Sequence, residues 1–192
     1  MKLISFCSLL FVLLLPSGCS KKEAAPDFFA TVLSTVQHEP FSFAGLRQHK
    51  AVVIIFLQPE CPFCNSYAKT LRRLDSTFLQ ADITMIGVVA GKNYADSEIM
   101  DYSAKNRLHF KMLLDPDFVL QKKLNATTTP EAFLVSNSGQ TLYRGMIDNW
   151  GYEIGKVRPM VTEHYLTDAV NALLQNKPIM PDSTKAIGCY IE

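Results

Sequence analysis

The chain of 192 residues has almost no net charge: nineteen basic side chains against eighteen acidic ones leave +1. Without a global field to draw a polyanion, nucleic acid is not an expected partner. No apolar run is long enough to span a bilayer. The longest, from Leu3 to Leu15 behind Lys2, falls short of the roughly 20 apolar residues that a spanning helix needs. Internal repeats and low-complexity stretches are missing, which sets aside solenoids and fibrous arrays. A second Cys/His pair at ligand spacing is missing too, since His38, His49, His109 and His164 are scattered. A four-ligand zinc site is therefore not expected, and no metal is assigned. The chain also lacks the length for two ordinary domains, which commonly run to about 100–150 residues each. Its 48% hydrophobic and 19% charged shares are an ordinary globular balance.

What is present begins with an N-terminus unlike the rest. Residues 1–18, a lysine followed by a short apolar run, read as a signal peptide. The run ends in Leu15-Pro16-Ser17-Gly18-Cys19, which resembles the lipobox of bacterial lipoproteins, where small residues precede a cysteine that becomes diacylated. Pro16 departs from the aliphatic residue usual at its place, and an ordinary signal peptide with a stray cysteine is the competing reading. The resemblance implies an exported protein held to a bacterial membrane by lipid on Cys19 and facing the periplasm or the extracellular side. Residues 19–40 then form an anchor tether and N-terminal extension, the charged, Ala-rich stretch from Ser20 to Pro26 being its flexible part. With Cys7 removed and Cys19 used as the anchor, Cys61, Cys64 and Cys189 remain. Outside the cytoplasm, a close pair plus an odd cysteine points to redox or metal chemistry more than to a stapled scaffold.

One domain is expected over residues 41–176, followed by a tail over 177–192. Ala51 to Leu57 is a continuous β-branched and aromatic run, the pattern of a strand buried on both faces. Tyr67, Leu71, Leu74 and Phe78 then recur at helical spacing. Ile83 to Val89 and Phe110 to Leu114 read as further strands, and Glu98 to Arg107 as a helix capped by Ser97 with Ile99, Met100 and Tyr102 making apolar contacts. Phe118, Leu120 and Leu124 suit a brief helix. Ala132–Ser136 and Gln140–Gly145, joined at Asn137-Ser138-Gly139, read as an antiparallel hairpin. Thr162 to Gln175 closes the pattern as an amphipathic helix capped near Thr162 and Glu163, with Leu166, Val170, Leu173 and Leu174 toward the core. The order implies an α/β fold, a central mixed sheet with helices on both faces.

The strongest chemical signal is Cys61-Pro62-Phe63-Cys64 at the junction of the buried strand and the following helix. Unpaired N–H groups and the helix dipole stabilise a thiolate there, so Cys61 is the expected nucleophile. Cys64, one turn into the helix, is the expected resolving partner, and Pro62 suits an early helical position. A purely structural disulfide between the two is the plain alternative.

On these residues the chain resembles the thioredoxin-like superfamily over about Phe41 to Gln175. More narrowly, it is similar to the exported members grouped with the peroxiredoxin and redoxin (AhpC/TSA-related) domains. The matching pieces are the Val52–Leu57 strand, the Cys61–Cys64 motif, Thr129-Pro130 and the hairpin after it. The resemblance implies a three-layer sandwich, thiol–disulfide oxidoreductase activity on exported protein or small disulfides, and a recycling redox partner. It also implies a redox-active Cys61–Cys64 disulfide in place of any cofactor, and a cis-proline loop at Pro130. Thr129, Pro62 and Phe63 would then line the substrate groove. The chain departs from thioredoxin itself in having Glu60 rather than Trp before the motif, Pro-Phe between the cysteines, and Val53, Ile54 and Ile55 where thioredoxin buries an acid. The redox potential is therefore not inherited, and Glu60 is the accessory proton acceptor to test.

Peroxide reduction is a competing function, but Gln58 stands three before Cys61 where peroxiredoxins carry a threonine. A Sco-type copper carrier is another, using both thiolates and a later histidine, for which only His164 is available. Cys189, in a Gly-Cys-x-Ile ending, has three readings: a free thiol, a third redox cysteine exchanging with Cys61, or a metal ligand. Trp150, the single tryptophan, reads equally as a wall of the substrate groove or as an aromatic packed on the sheet edge.

Overall fold

The β-branched run at 51–57 lies in the interior of a seven-stranded sheet. The computed structural model describes residues 27–192; the expected signal peptide, the expected lipid anchor Cys19 and the stretch from Ser20 to Pro26 read as a tether lie outside the described residues. In chain order the elements are β1 (Val32–Thr35), β2 (Pro40–Ser42), β3 (Ala51–Phe56), α1 (Pro62–Gln80), β4 (Ile83–Ala90), α2 (Asp96–Lys105), β5 (Lys111–Asp115), α3 (Val119–Leu124), β6 (Thr128–Thr129), β7 (Glu131–Ser136), β8 (Thr141–Gly145), β9 (Gly151–Glu153), β10 (Lys156–Val157), α4 (Tyr165–Leu174) and β11 (Cys189–Tyr190). The main sheet runs β2-β1-β5-β4-β3-β7-β8, with β3, β4 and β5 mutually parallel and the other neighbours antiparallel.

Every residue of β3 is buried because the strand is covered on both faces. Ala51, Val53 and Ile55 pack with α1, α2 and α4 in one apolar layer. Val52, Ile54 and Phe56 pack with α3 and with 3-10 turns at Phe28–Ala30 and Phe43–Gln48 in the other. This is the thioredoxin-like three-layer sandwich. The α1 stripe lands as its spacing requires, with Tyr67, Leu71, Leu74 and Phe78 all buried. Fully burying such a side chain stabilises the fold by roughly 1.5–3 kcal/mol relative to leaving it in water.

Four local expectations are corrected. The segment read as tether and extension over 19–40 already contributes to the fold: β1 pairs with β5, and Phe28, Phe29 and Leu33 are buried. Those apolar positions are too few and too closely followed by turns to show a strand period. The last helix begins at Tyr165 rather than Thr162, because Thr162 and Glu163 are engaged by the Asn149 segment. Asn149 Nδ2 donates to Thr162 Oγ1 at 2.8 Å, and the Asn149 amide donates to the Glu163 carbonyl at 3.1 Å. Met100 and Leu174, expected toward the core, face outward because the apolar arc of each helix is narrower than the run of apolar letters. The α2 cap is also shifted: Glu98 reaches back to accept from the Ala95 amide at 2.7 Å, so the helix starts at Asp96 rather than after Ser97.

Candidate active site

Cys61 is the cap residue of α1, extended at φ −68° and ψ 118°, and Pro62 occupies the first helical position. Proline fits there because no helical carbonyl would have met its missing N–H. Asn65 fastens the turn, its Nδ2 donating to the Pro59 carbonyl at 2.8 Å and to the Cys61 carbonyl at 3.1 Å. Cys64 is wholly buried on the inner face of α1. Its sulfur accepts from the Gln58 amide at 3.5 Å, and its carbonyl accepts from the Tyr102 hydroxyl at 3.3 Å.

The Thr129–Pro130 peptide is cis, and it lies against this turn. The Thr129 carbonyl oxygen is 3.3 Å from Cys61 Sγ and accepts from its thiol form. Buried Glu131 shapes the loop from behind. Its carboxylate accepts from the amides of Thr127 at 2.8 Å and Thr128 at 3.3 Å, and pairs with Arg144 at 3.1 Å.

A third sulfur completes the cluster. The tail returns across the molecule so that β11 pairs antiparallel with β6, Cys189 opposite Thr129 and Tyr190 opposite Thr128. The Cys189 thiol donates to Cys61 Sγ at 2.7 Å, and all three cysteines are free thiols. Beneath this cover Cys61 is only 2% exposed.

The three sulfurs differ in acidity for identifiable reasons. Hydrogen bonds from Cys64 and then from Cys189 outweigh burial at Cys61 and lower its pKa from 9.0 to about 5. Burial pushes Cys64 well above an ordinary thiol. Burial, with the hydrogen bond to Cys61, pushes Cys189 up to about 12. At neutral pH one sulfur carries the charge while its two neighbours hold protons on it. Ultraviolet titration of the reduced protein should accordingly show a thiolate transition near pH 5 that Cys61→Ser removes; a single transition near the ordinary thiol value of about 8.5 would contradict this. Because the pKa is depressed, the reduced fold gains stability as pH rises from about 5 toward 9, and loses that contribution as pH falls through 5.

Phe63 and Trp150 stand together beside the motif. Trp150 packs edge-on against Tyr67 at 5.4 Å and Phe63 at 6.1 Å between ring centroids, so it rests on the start of α1 rather than on the sheet edge. The Asp148 carboxylate holds this corner, accepting from the Tyr67 hydroxyl at 2.7 Å and the Trp150 amide at 2.9 Å. Glu60 is exposed, and the groups that bond the sulfurs are the Gln58 amide and the Thr129 carbonyl instead. His164 precedes α4 as an exposed residue. In the sequence Gln58 stands out only as a missing threonine. In the fold it is buried, its Oε1 accepting from the Thr129 hydroxyl at 2.9 Å and its Nε2 donating to the Tyr190 carbonyl at 3.3 Å. The signal was a lone amide closing an otherwise apolar strand.

Residues 22–144, well over half of the chain, match the AhpC/TSA family. The chain belongs to that family. Within this thioredoxin-like redoxin superfamily, a thioredoxin-like protein of Haemophilus influenzae is 24% identical over 64% of this chain and 71% of its own length. The soluble secreted antigen MPT53 of Mycobacterium tuberculosis is 28% identical over 56% of this chain, which spans 59% of the antigen. Among solved structures, a protein of Sinorhizobium meliloti superposes with a TM-score of 0.73 at 22% identity, covering 87% of this chain and 91% of the other. A secreted disulfide oxidoreductase of Mycobacterium tuberculosis superposes at 0.52 and 24% identity over 59% of this chain and 81% of its own. These likenesses show the fold. Among the described residues, no helix is long and apolar enough to cross a membrane.

Proposed function

We propose that the protein is an exported thiol–disulfide oxidoreductase that exchanges a dithiol and a disulfide at Cys61 and Cys64 with exported protein or small-molecule thiols and disulfides. The observation that carries this reading is the placement of the Cys61 sulfur at the start of α1, between the Cys64 thiol and the Thr129 carbonyl. The Cys61 thiolate attacks a client sulfur, one client thiolate leaves, and a mixed disulfide forms. Cys64 then gives up its proton and attacks Cys61, releasing the second client thiol and leaving the Cys61–Cys64 disulfide. The edge of β6 and Thr129-Pro130, with Pro62 and Phe63 opposite, is the groove for an extended client segment. No cofactor is required beyond the disulfide itself, and a separate redox partner recycles it.

Export follows from the signal-like N-terminus, and a relative described as a soluble secreted antigen is consistent with export; the lipobox-like Cys19 would anchor the exported protein to a bacterial membrane. Peroxide reduction is disfavoured because the Gln58 side chain, in the place of the peroxiredoxin threonine, is turned to Thr129 and Tyr190.

The test removes both thiols able to resolve a mixed disulfide. With Cys64→Ser and Cys189→Ser combined, incubation with a disulfide-bonded client should accumulate a Cys61–client adduct that is visible without reductant and vanishes with it. Absence of any adduct would reject the assignment of Cys61 as nucleophile.

A further inference from the structure

The described tail is held by little apolar burial, yet it seals the nucleophile. Met180 is 85% exposed and Tyr190 is 76% exposed, while Ile187, Cys189 and Ile191 are only half-buried. What seats it is largely backbone. On the flank of β8 the Arg144 amide donates to the Asp182 carbonyl at 3.1 Å and the Thr184 amide to the Arg144 carbonyl at 2.9 Å, and the Ile191 amide donates to the Thr127 carbonyl at 3.0 Å. Two glycines permit this close passage: a Cβ at Gly145 would overlap Thr184, and a Cβ at Gly188 would overlap the Thr129 carbonyl. A segment with few buried contacts opens locally at far lower free energy than the whole fold unfolds. The strand it adds to β6 is the position an extended client would take, and it carries a thiol onto Cys61.

We propose that Cys189 is a third redox cysteine, which takes the disulfide from Cys64 and thereby locks the tail into the client groove. This rests on the thiol–disulfide reading of the Cys61–Cys64 pair. Starting from the Cys61–Cys64 disulfide, Cys189 loses its proton to solvent and attacks Cys61 Sγ. The Cys61–Cys189 bond forms and the Cys61–Cys64 bond breaks. Cys64 departs as a thiolate and takes up a proton. No electrons enter or leave, so no further oxidant is needed. Attack by Cys64 on Cys61 reverses the step, frees Cys189 and lets the tail lift. Burial raises the pKa of Cys64 and so favours its protonated form once it has been expelled. The groove is thus locked shut when the disulfide lies on Cys189, whereas with the disulfide on Cys64 or absent the tail is seated only by non-covalent contacts and can lift for a client.

The experiment uses the full chain oxidised with glutathione disulfide, alkylated and digested with trypsin. Cys61 and Cys64 share the peptide 51–69, whereas Cys189 lies in 186–192, so the two disulfides give different masses. The expected result is a cross-linked 51–69/186–192 species. Recovery of 186–192 solely as the alkylated thiol would overturn the proposal. Gly188→Ala keeps all the cysteines but unseats the strand; it should reduce the cross-linked species about tenfold and raise the alkylation rate of Cys61 in the reduced protein by a similar factor, the equivalent of about 1.4 kcal/mol of tail seating. Unchanged yields and rates would count against it. The Cys64→Ser single variant separates this idea from the function beneath it. Cys189 should clear the client adduct there and leave the 51–69/186–192 cross-link. If the single variant holds as much adduct as the double variant, Cys189 takes no part while the Cys61 assignment stands; if neither forms adduct, the function itself fails.

Discussion

Cys61→Ser should lower thiol–disulfide exchange by on the order of 10⁴-fold or more, measured as reduction of the disulfides of insulin. Exchange needs a soft, ionised sulfur, and a serine hydroxyl stays protonated across the working pH range. Neither neighbour can replace it. Cys64 is wholly buried and held protonated, and Cys189 sits off the start of α1, where burial also disfavours its thiolate. The substitution tests chemistry rather than folding, because the residue caps α1 and serine is among the side chains best suited to a helix cap. A variant that folds, as judged by its melting curve, yet turns over like the parent would reject the mechanism.

Phe133→Ala should destabilise the protein by about 3–5 kcal/mol, the usual cost of emptying a buried phenylalanine site. The ring is fully buried in the centre of β7, packs edge-on against Phe56 at 5.8 Å, and carries the Arg144 guanidinium over its face at 5.6 Å. That loss is a large part of the roughly 5–15 kcal/mol by which domains are stable, so the melting temperature should fall by about 6–20 °C. A consequence for the site follows from position. Pro130 and Glu131 lie three and two residues before Phe133, and Arg144 also pairs with Glu131, so loosening this strand loosens the loop that faces Cys61. Phe133→Leu should recover much of the stability. A drop below about 1 kcal/mol for the alanine variant would mean that this layer is not close-packed.

Much of the architecture was legible because local patterns and global burial agree. A β-branched run such as 51–57 has no stable place except between two covered faces, and a stripe such as Tyr67, Leu71, Leu74 and Phe78 has none except against a sheet. The hairpin over β7 and β8 was equally plain, since Gly139 adopts the positive φ of +87° that its turn needs. The N-terminal strands were not legible. Four residues of β1 and three of β2 are too short for a period to show, and they are strands only because β5 and each other supply their partners.

The order of chemistry-bearing residues along the chain determined that a Cys-x-x-C turn follows a buried strand, because that pairing depends on neighbours in sequence. It also determined that a proline loop precedes a hairpin. Tertiary structure decided which distant groups meet there. Thr129 lies 68 residues beyond Cys61, Gln58 bonds to a carbonyl 132 residues away, and the Cys189 sulfur reaches Cys61 from 128 residues downstream. Such contacts are set by sheet order and by two close backbone approaches at glycine, which no local period encodes. The acidity of Cys61 and its enclosure arise from those meetings, since both depend on which side chains the fold brings within hydrogen-bonding distance of one sulfur atom.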